Sequence, residues 1–160
     1  MKEKFSKRVQ SIIKQSKEEA IELGHSYVGS EHILLGLLKI NSGKGKKILD
    51  IFNIDVNEMI NSINTRIKSS GGTLNLGHLP LTRRAERILR NSYSEASSRG
   101  DSISDDIHLL LAMLKEPEGI ASRVLKSFSL DYETVSELIF SDDGSLLVEE
   151  IAGDKLSLIH

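Results

Sequence analysis

Cysteine is absent from the 160 residues, which removes disulfide scaffolds, thiolate metal sites and cysteine nucleophiles at once. Tryptophan is absent, prolines number two, and aromatic residues make up 4% of the chain. With so few helix breakers and few β-branched runs, apolar spacings of three and four continue uninterrupted, and the secondary structure reads as helix throughout. Long apolar runs are also missing: none approaches the roughly 18 residues of a membrane span, and Met1 to Phe5 lacks the apolar stretch of a secretory signal. The expectation is a cytoplasmic protein that does not contact membrane.

What is present is an ordinary globular balance, 39% hydrophobic and 28% charged, enough for one well-buried domain. The formal net charge of -2 is unevenly spread. Residues 131 to 160 carry eight acidic side chains against Lys155, so the first 130 residues are net basic. A modestly basic body with an acidic tail argues against nucleic acid as the main partner.

The second half repeats the first. A shift of 76 positions, with no gap, lays Ser6 on Thr82, Ser16 on Ser92, Glu19-Ala20 on Glu95-Ala96, Gly24 on Gly100, His32 on His108, Gly43 on Gly119, Leu49 on Leu125, Phe52 on Phe128 and Asp55 on Asp131. Identities scattered on an apolar-periodic frame are what a duplicated unit leaves behind. In the first unit the pattern predicts a helix from Ser6, its N-cap, to the stop at Gly24, then a second from Ser30 as cap through Ile40. A short third helix carries Ile48, Leu49 and Phe52, and a fourth runs from Asp55, with Glu58 completing a capping box, to about Lys68. The second unit predicts helices over 82–99, 106–115, 118–128 and 131–140. Residues 69–80, rich in Gly and Ser, form a connector; residues 142–160 form a tail. The expected fold is all-α: two pseudo-twofold-related four-helix repeats, 3–68 and 81–141, packed face to face in one domain of about eight helices.

Little in the chain looks catalytic. The five histidines, His25, His32, His78, His108 and His160, show no paired zinc spacing, and His32 and His108 at equivalent positions are expected to bond backbone or pack at helix starts. Gly43 to Lys47 resembles a phosphate loop superficially but lacks its residue order and a preceding strand, so it reads as a solvated turn. Arg83, Arg87 and Arg90 project from one helical face, either to grip phosphate or an acidic partner, or simply as a solvated surface, the reading that Glu86 and Glu95 favour. No nucleophile elbow, Ser/His/Asp arrangement or Walker A motif occurs.

The string Gly24-His-Ser-Tyr-Val-Gly-Ser-Glu-His-Ile-Leu-Leu-Gly-Leu-Leu38, with Phe5-Ser6 and Glu19-Ala20 before it, resembles the first Clp N-terminal repeat. Leu81-Thr-Arg-Arg-Ala85, His108-Leu-Leu-Leu111 and Glu118-Gly-Ile-Ala-Ser-Arg-Val-Leu125 resemble the second. Together they resemble the N-terminal domain of ClpC-type Hsp100 AAA+ unfoldases, less closely ClpA or ClpB types, over residues 3 to 141. The resemblance implies a module that docks adaptor proteins and protein substrates for a hexameric ring, which unfolds clients and delivers them to the ClpP peptidase. The isolated domain would be a monomer without cofactor, ATP and Mg belonging to AAA+ modules outside these residues.

The resemblance also implies a phosphoarginine site in each repeat, made of a hydroxyl at the start of the first helix and a glutamate at the start of the second. Carried over, these are Ser6 with Glu31 in the first repeat. In the second, Thr82 is kept but Ile107 stands at the glutamate position and Arg83 where proline is usual, which weakens that pocket. An N-cap hydroxyl and a carboxylate on a helix dipole are the plainer roles for Ser6 and Glu31. Against the docking module stand two alternatives: a free-standing interaction or stress protein of the same fold, and a small nucleic-acid binder using Arg83, Arg87 and Arg90.

Overall fold

A computed structural model describes residues 4–67 and 79–139. Eight helices follow one another: α1 (Lys7–Glu22), α2 (Ser30–Ile40), α3 (Gly43–Ile51), α4 (Val56–Arg66), α5 (Arg83–Ser98), α6 (Asp106–Lys115), α7 (Ile120–Ser127) and α8 (Tyr132–Ile139). Among the described residues there is no strand, and no helix is long and apolar enough to cross a membrane. The connector, except Leu79 and Pro80, and the tail 142–160 lie outside the described residues, as do His78 and His160.

Each start signal works through a specific bond. Ser6 and Thr82, both extended, accept the Val9 and Ala85 amides on their side-chain oxygens at 3.1 and 3.0 Å, capping α1 and α5. Asp55 accepts the Asn57 and Glu58 amides. Gly24 and Gly100 stop the long helices at φ of 73° and 81°. The start of α2 differs from expectation: the cap is Gly29 and Ser30 is already helical; the His32 ring, one turn on, accepts the Gly29 amide and fixes that residue, and no side chain caps the first helical amides.

Helices α2 and α6 form the centre. Every residue from Ser30 to Leu38 and from Asp106 to Leu114 is buried, so both lie within the core rather than on it. α1 packs chiefly on α2, and α5 on α6. The third helices cross between the repeats: α3 lies on α6 of the other repeat, and α7 lies against α2 and α4 of the other repeat as well as against its own α6. Two isolated parallel bridges repeat the exchange at backbone level. Phe5 pairs with Ser104, and Val28 with Leu81, at positions 76 apart in the two cases. The Ser6 amide donates to Ser104 O at 2.8 Å and the Ser104 amide to Lys4 O at 2.7 Å; the Thr82 amide donates to Val28 O and the Val28 amide to Pro80 O, both at 2.9 Å. The repeats are therefore interlocked, not merely stacked.

This exchange corrects the reading of Gly43 to Lys47 as a solvated turn. The segment is the first turn and a half of α3. Gly45 is buried, and its amide donates to Asp106 Oδ2 in the other repeat at 2.7 Å. Two glycines disfavour a helix by about 1 kcal/mol each, so tertiary contact overrides propensity here.

Close approach also defines the α1–α2 contact. A Cβ on Gly36 would sit 2.6 Å from both Ile12 O and Ser16 Oγ. Gly36→Ala is therefore expected to destabilise the domain by about 1–3 kcal/mol through overpacking, against the roughly 1 kcal/mol that helix propensity alone would add. Urea unfolding measures the sign directly; a stabilised variant would contradict this packing.

Candidate functional site

Three helix N-termini converge on one cleft: α2 at Gly29 to Glu31, α5 at Thr82 to Arg84, and α7 at Gly119 and Ile120. The cavity is about 560 Å³. It forms because the Val28–Leu81 bridge brings the start of α5 to the start of α2, and because the exchanged α7 closes the third side. Each N-terminus presents unsatisfied amides and about half a positive charge, a combination that suits an anion.

Arginines strengthen that field. Arg83 and Arg123 line the cavity and are exposed. Arg84 Nε is buried without a hydrogen-bond partner and lies 3.6 Å from Glu116. Arg87 is engaged: its Nη2 and Nε donate to the nearly buried Glu116 carboxylate at 2.6 and 2.9 Å. That fork holds the Arg87 pKa above its usual value. Against these cations stand Glu118 and the buried Glu31 at the mouth of α2. The Tyr27 hydroxyl is held above its ordinary pKa by burial and by the nearby Glu31 charge.

The expected partners are rearranged. Glu31 shares its pocket with Thr82 of the second repeat, not with Ser6. Ser6 lies across the domain, where its hydroxyl donates to Asp105 Oδ1 at 2.9 Å. The cause is the same exchange, which places each first helix start against the other repeat's second helix. Ile107 is buried at the N-terminus of α6, on the Ser6 side. Arg83, Arg87 and Arg90 do not act as one row: Arg83 and Arg87 line the cavity, Arg87 with its guanidinium tied to Glu116, and Arg90 is exposed but no part of the lining. Sequence reasoning missed Arg84, Gly119 and Arg123. The 76-residue shift carried a signal for the first two, since Arg8 and Gly43 occupy the equivalent positions.

The loop leading into α2 is fixed by imidazoles. Gly29 N–H donates to His32 Nδ1 at 2.9 Å, so the ring proton is on Nε2 and is shared with His25 Nδ1 at 2.8 Å. His25 stacks on Tyr27, which carries this order to the cavity wall. In the second repeat the Asp105 amide donates to His108 Nδ1, and Asp101, at the position of His25, faces the other ring nitrogen at 3.3 Å. Burial, and then the neighbouring His25, push the His32 pKa down to about 4. No group of three or more His, Cys, Asp or Glu able to hold a metal occurs among the described residues.

The family model of the Clp repeat (R) N-terminal domain matches residues 4–128 and 81–150. Among curated relatives, the ATP-dependent Clp protease ATP-binding subunit ClpA homolog of Guillardia theta is 35% identical over 135 residues, 84% of this chain and 16% of its own length. The chloroplastic chaperone protein ClpC1 of Oryza sativa subsp. japonica is 37% identical over 131 residues, 82% of this chain and 14% of its own. The chain thus spans about a sixth of the length of the curated relatives it matches. In three dimensions it is similar to the Hsp104 N-terminal domain of Candida albicans, with TM-score 0.70 and 17% identity over 84% of this chain and 88% of that one.

The histidine chain has a pH consequence. Unfolded imidazole takes its proton near 6.5 but folded His32 only near 4, so acid favours the unfolded state across that window. The wild type is expected to lose on the order of 2 to 3 kcal/mol from this group as pH falls from 6.5 to 4, a loss absent in His32→Gln, which keeps an acceptor for the Gly29 amide. Parallel stability profiles for the two proteins would refute the assignment.

Proposed function

Because this chain belongs to the Clp repeat (R) N-terminal domain family, we propose that it is the recognition module of an ATP-dependent Clp unfoldase, docking adaptors and protein substrates ahead of unfolding and degradation by ClpP. The work of these residues is to hold proteins, not to transform them. ATP and Mg would act in AAA+ modules of a hexamer outside this chain, and the cytoplasm is the compartment we assign to it. Repeat units at 3–68 and 81–141 around a connector at 69–80 are part of the same reading.

One observation carries the proposal: a carboxylate and a hydroxyl line the same cleft, onto which three helix N-termini and several arginines converge. That combination suits a ligand with an anionic end beside a donor-rich end. A phosphorylated arginine on a substrate protein has both. Its phosphoryl oxygens would take the amides of α2, α5 and α7, the Thr82 hydroxyl and the guanidinium of Arg84 or Arg123; its guanidino N–H groups would donate to Glu31. Thr82 can serve because its oxygen already accepts the Ala85 amide, leaving its proton to donate.

Ser6 drops out of the pocket in this reading and Thr82 enters it. Titration with phosphoarginine, followed by calorimetry, tests the reading. Glu31→Ala is expected to weaken binding at least tenfold, since hydrogen bonds to charged groups contribute about 1.5–3 kcal/mol. Thr82→Ala should weaken it several-fold, and Ser6→Ala should leave it unchanged. Unaltered affinity in Glu31→Ala would discard the pocket.

A further inference from the structure

The repeat that makes the open pocket also makes its counterpart. At that second place the N-termini of α1, α6 and α3 converge, as those of α5, α2 and α7 do at the first. The match extends to atoms. A Cβ on Gly119 would meet Arg84 Cδ at 2.7 Å and Ser30 Oγ at 3.4 Å; one on Gly43 would meet Arg8 Cζ at 2.9 Å and both Asp106 carboxylate oxygens at 2.8 Å. Both glycines have positive φ, 113° and 83°, which admits these side chains against bare backbone. Arg8 stands for Arg84, and Asp106 for Ser30.

Within these pairs the change of chemical kind is serine to aspartate; beside them Asp105 replaces Gly29 and Ile107 replaces Glu31. Asp106 is 1% exposed, and its Oδ2 accepts the Gly45 amide in the first turn of α3 at 2.7 Å. Its Oδ1 is buried without a hydrogen-bond partner and lies 3.8 Å from Arg8 Nη1. Arg8 in turn donates to both oxygens of Asp105 at 3.1 and 3.0 Å and to Ser42 Oγ at 3.0 Å. Asp105 also accepts the Ser6 hydroxyl and the Asp106 amide. A carboxylate thus rests on helix N-terminal amides with a guanidinium beside it, the arrangement an oxyanion ligand would adopt.

We propose that the second pocket is an oxyanion site kept filled by the chain's own Asp106 carboxylate, so that the domain offers a single vacant site and removal of that side chain vacates another for phosphate. Burial pushes the Asp106 pKa up to about 6, the cost of an anion held from solvent that the Gly45 amide only partly offsets. The inference takes from the proposed function only that the open pocket receives phosphate; the duplicate geometry stands without it.

Amide chemical shifts under titration with inorganic phosphate and phosphoarginine provide the test, using wild type, Asp106→Ser and Ser30→Asp. In the wild type, shifts are expected at Gly29 to Glu31 and Gly119, with Gly43 and Gly45 unmoved. In Asp106→Ser, phosphate should shift Gly43 and Gly45 and raise the stoichiometry from one to two. No response at Gly45 in this variant, shown folded by its helical circular dichroism, overturns the proposal whatever the open pocket does. A response at Gly45 with none at the open pocket upholds the filling of the second pocket by Asp106 while removing both the vacant first site and the proposed function. Ser30→Asp transplants the plug: it should move the Ala121 amide, the counterpart of Gly45, to lower field and weaken ligand at the open pocket at least tenfold. If Asp106→Ser does not fold, an unmoved Ala121 amide in Ser30→Asp overturns the proposal.

Discussion

Two short parallel bridges, Phe5 with Ser104 and Val28 with Leu81, set the positions of the remaining parts. Each consists of two main-chain hydrogen bonds between 2.7 and 2.9 Å, and each joins the segment before one repeat's first helix to the segment before the other repeat's second. Because backbone polar groups leaving water need partners, these loops pair with each other where no helix can serve them. The pairing pins the starts of four helices in two reciprocal couples. With α3 and α7 exchanged across the interface as well, the repeats share one core whose centre is α2 and α6.

The interlock also creates the sites. A single repeat has its helix N-termini dispersed, whereas two repeats in reciprocal contact gather them in threes, twice. Positive electrostatic potential therefore accumulates at two places for architectural reasons, before any side chain is chosen. Side chains then decide how each field is met. At one, Ser30 is short, Glu31 and Thr82 border the opening, and a cavity remains. At the other, Asp106 reaches across to Gly45, and Arg8 and Asp105 complete a compact ionic cluster. The duplication supplied symmetry; a few substitutions broke it.

Much of the architecture was legible beforehand. Ser6, Asp55, Thr82, Gly24 and Gly100 are local signals whose capping and turn chemistry acts within a few residues, and each marks its helix end as expected. The 76-residue shift gave the repeat, and the wholly apolar runs of α2 and α6 gave the core. Gly43 to Lys47 was not legible, because its helical state depends on a hydrogen bond from the Gly45 amide to the Asp106 carboxylate, 61 residues away. A backbone bond to His32 at the start of α2 was expected, but Gly29 rather than Ser30 as the cap residue was not, because the serine looks like the better cap. Glu31 was paired with Ser6 and Thr82 given to the second repeat, whereas Glu31 and Thr82 line one cavity, since the shift aligns each with its counterpart and says nothing of which repeat it faces.

Sequence by itself determined the elements: the helices, most of their limits and the duplication. These follow from interactions spanning a turn or two, or from a period that any alignment of the chain with itself exposes. Tertiary structure alone decided the pairing of Glu31 with Thr82, the separation of Ser6 from both, and the filling of one pocket beside the opening of the other. Those outcomes rest on contacts between residues roughly sixty to a hundred positions apart, whose geometry is set only when two helical repeats close on a common core.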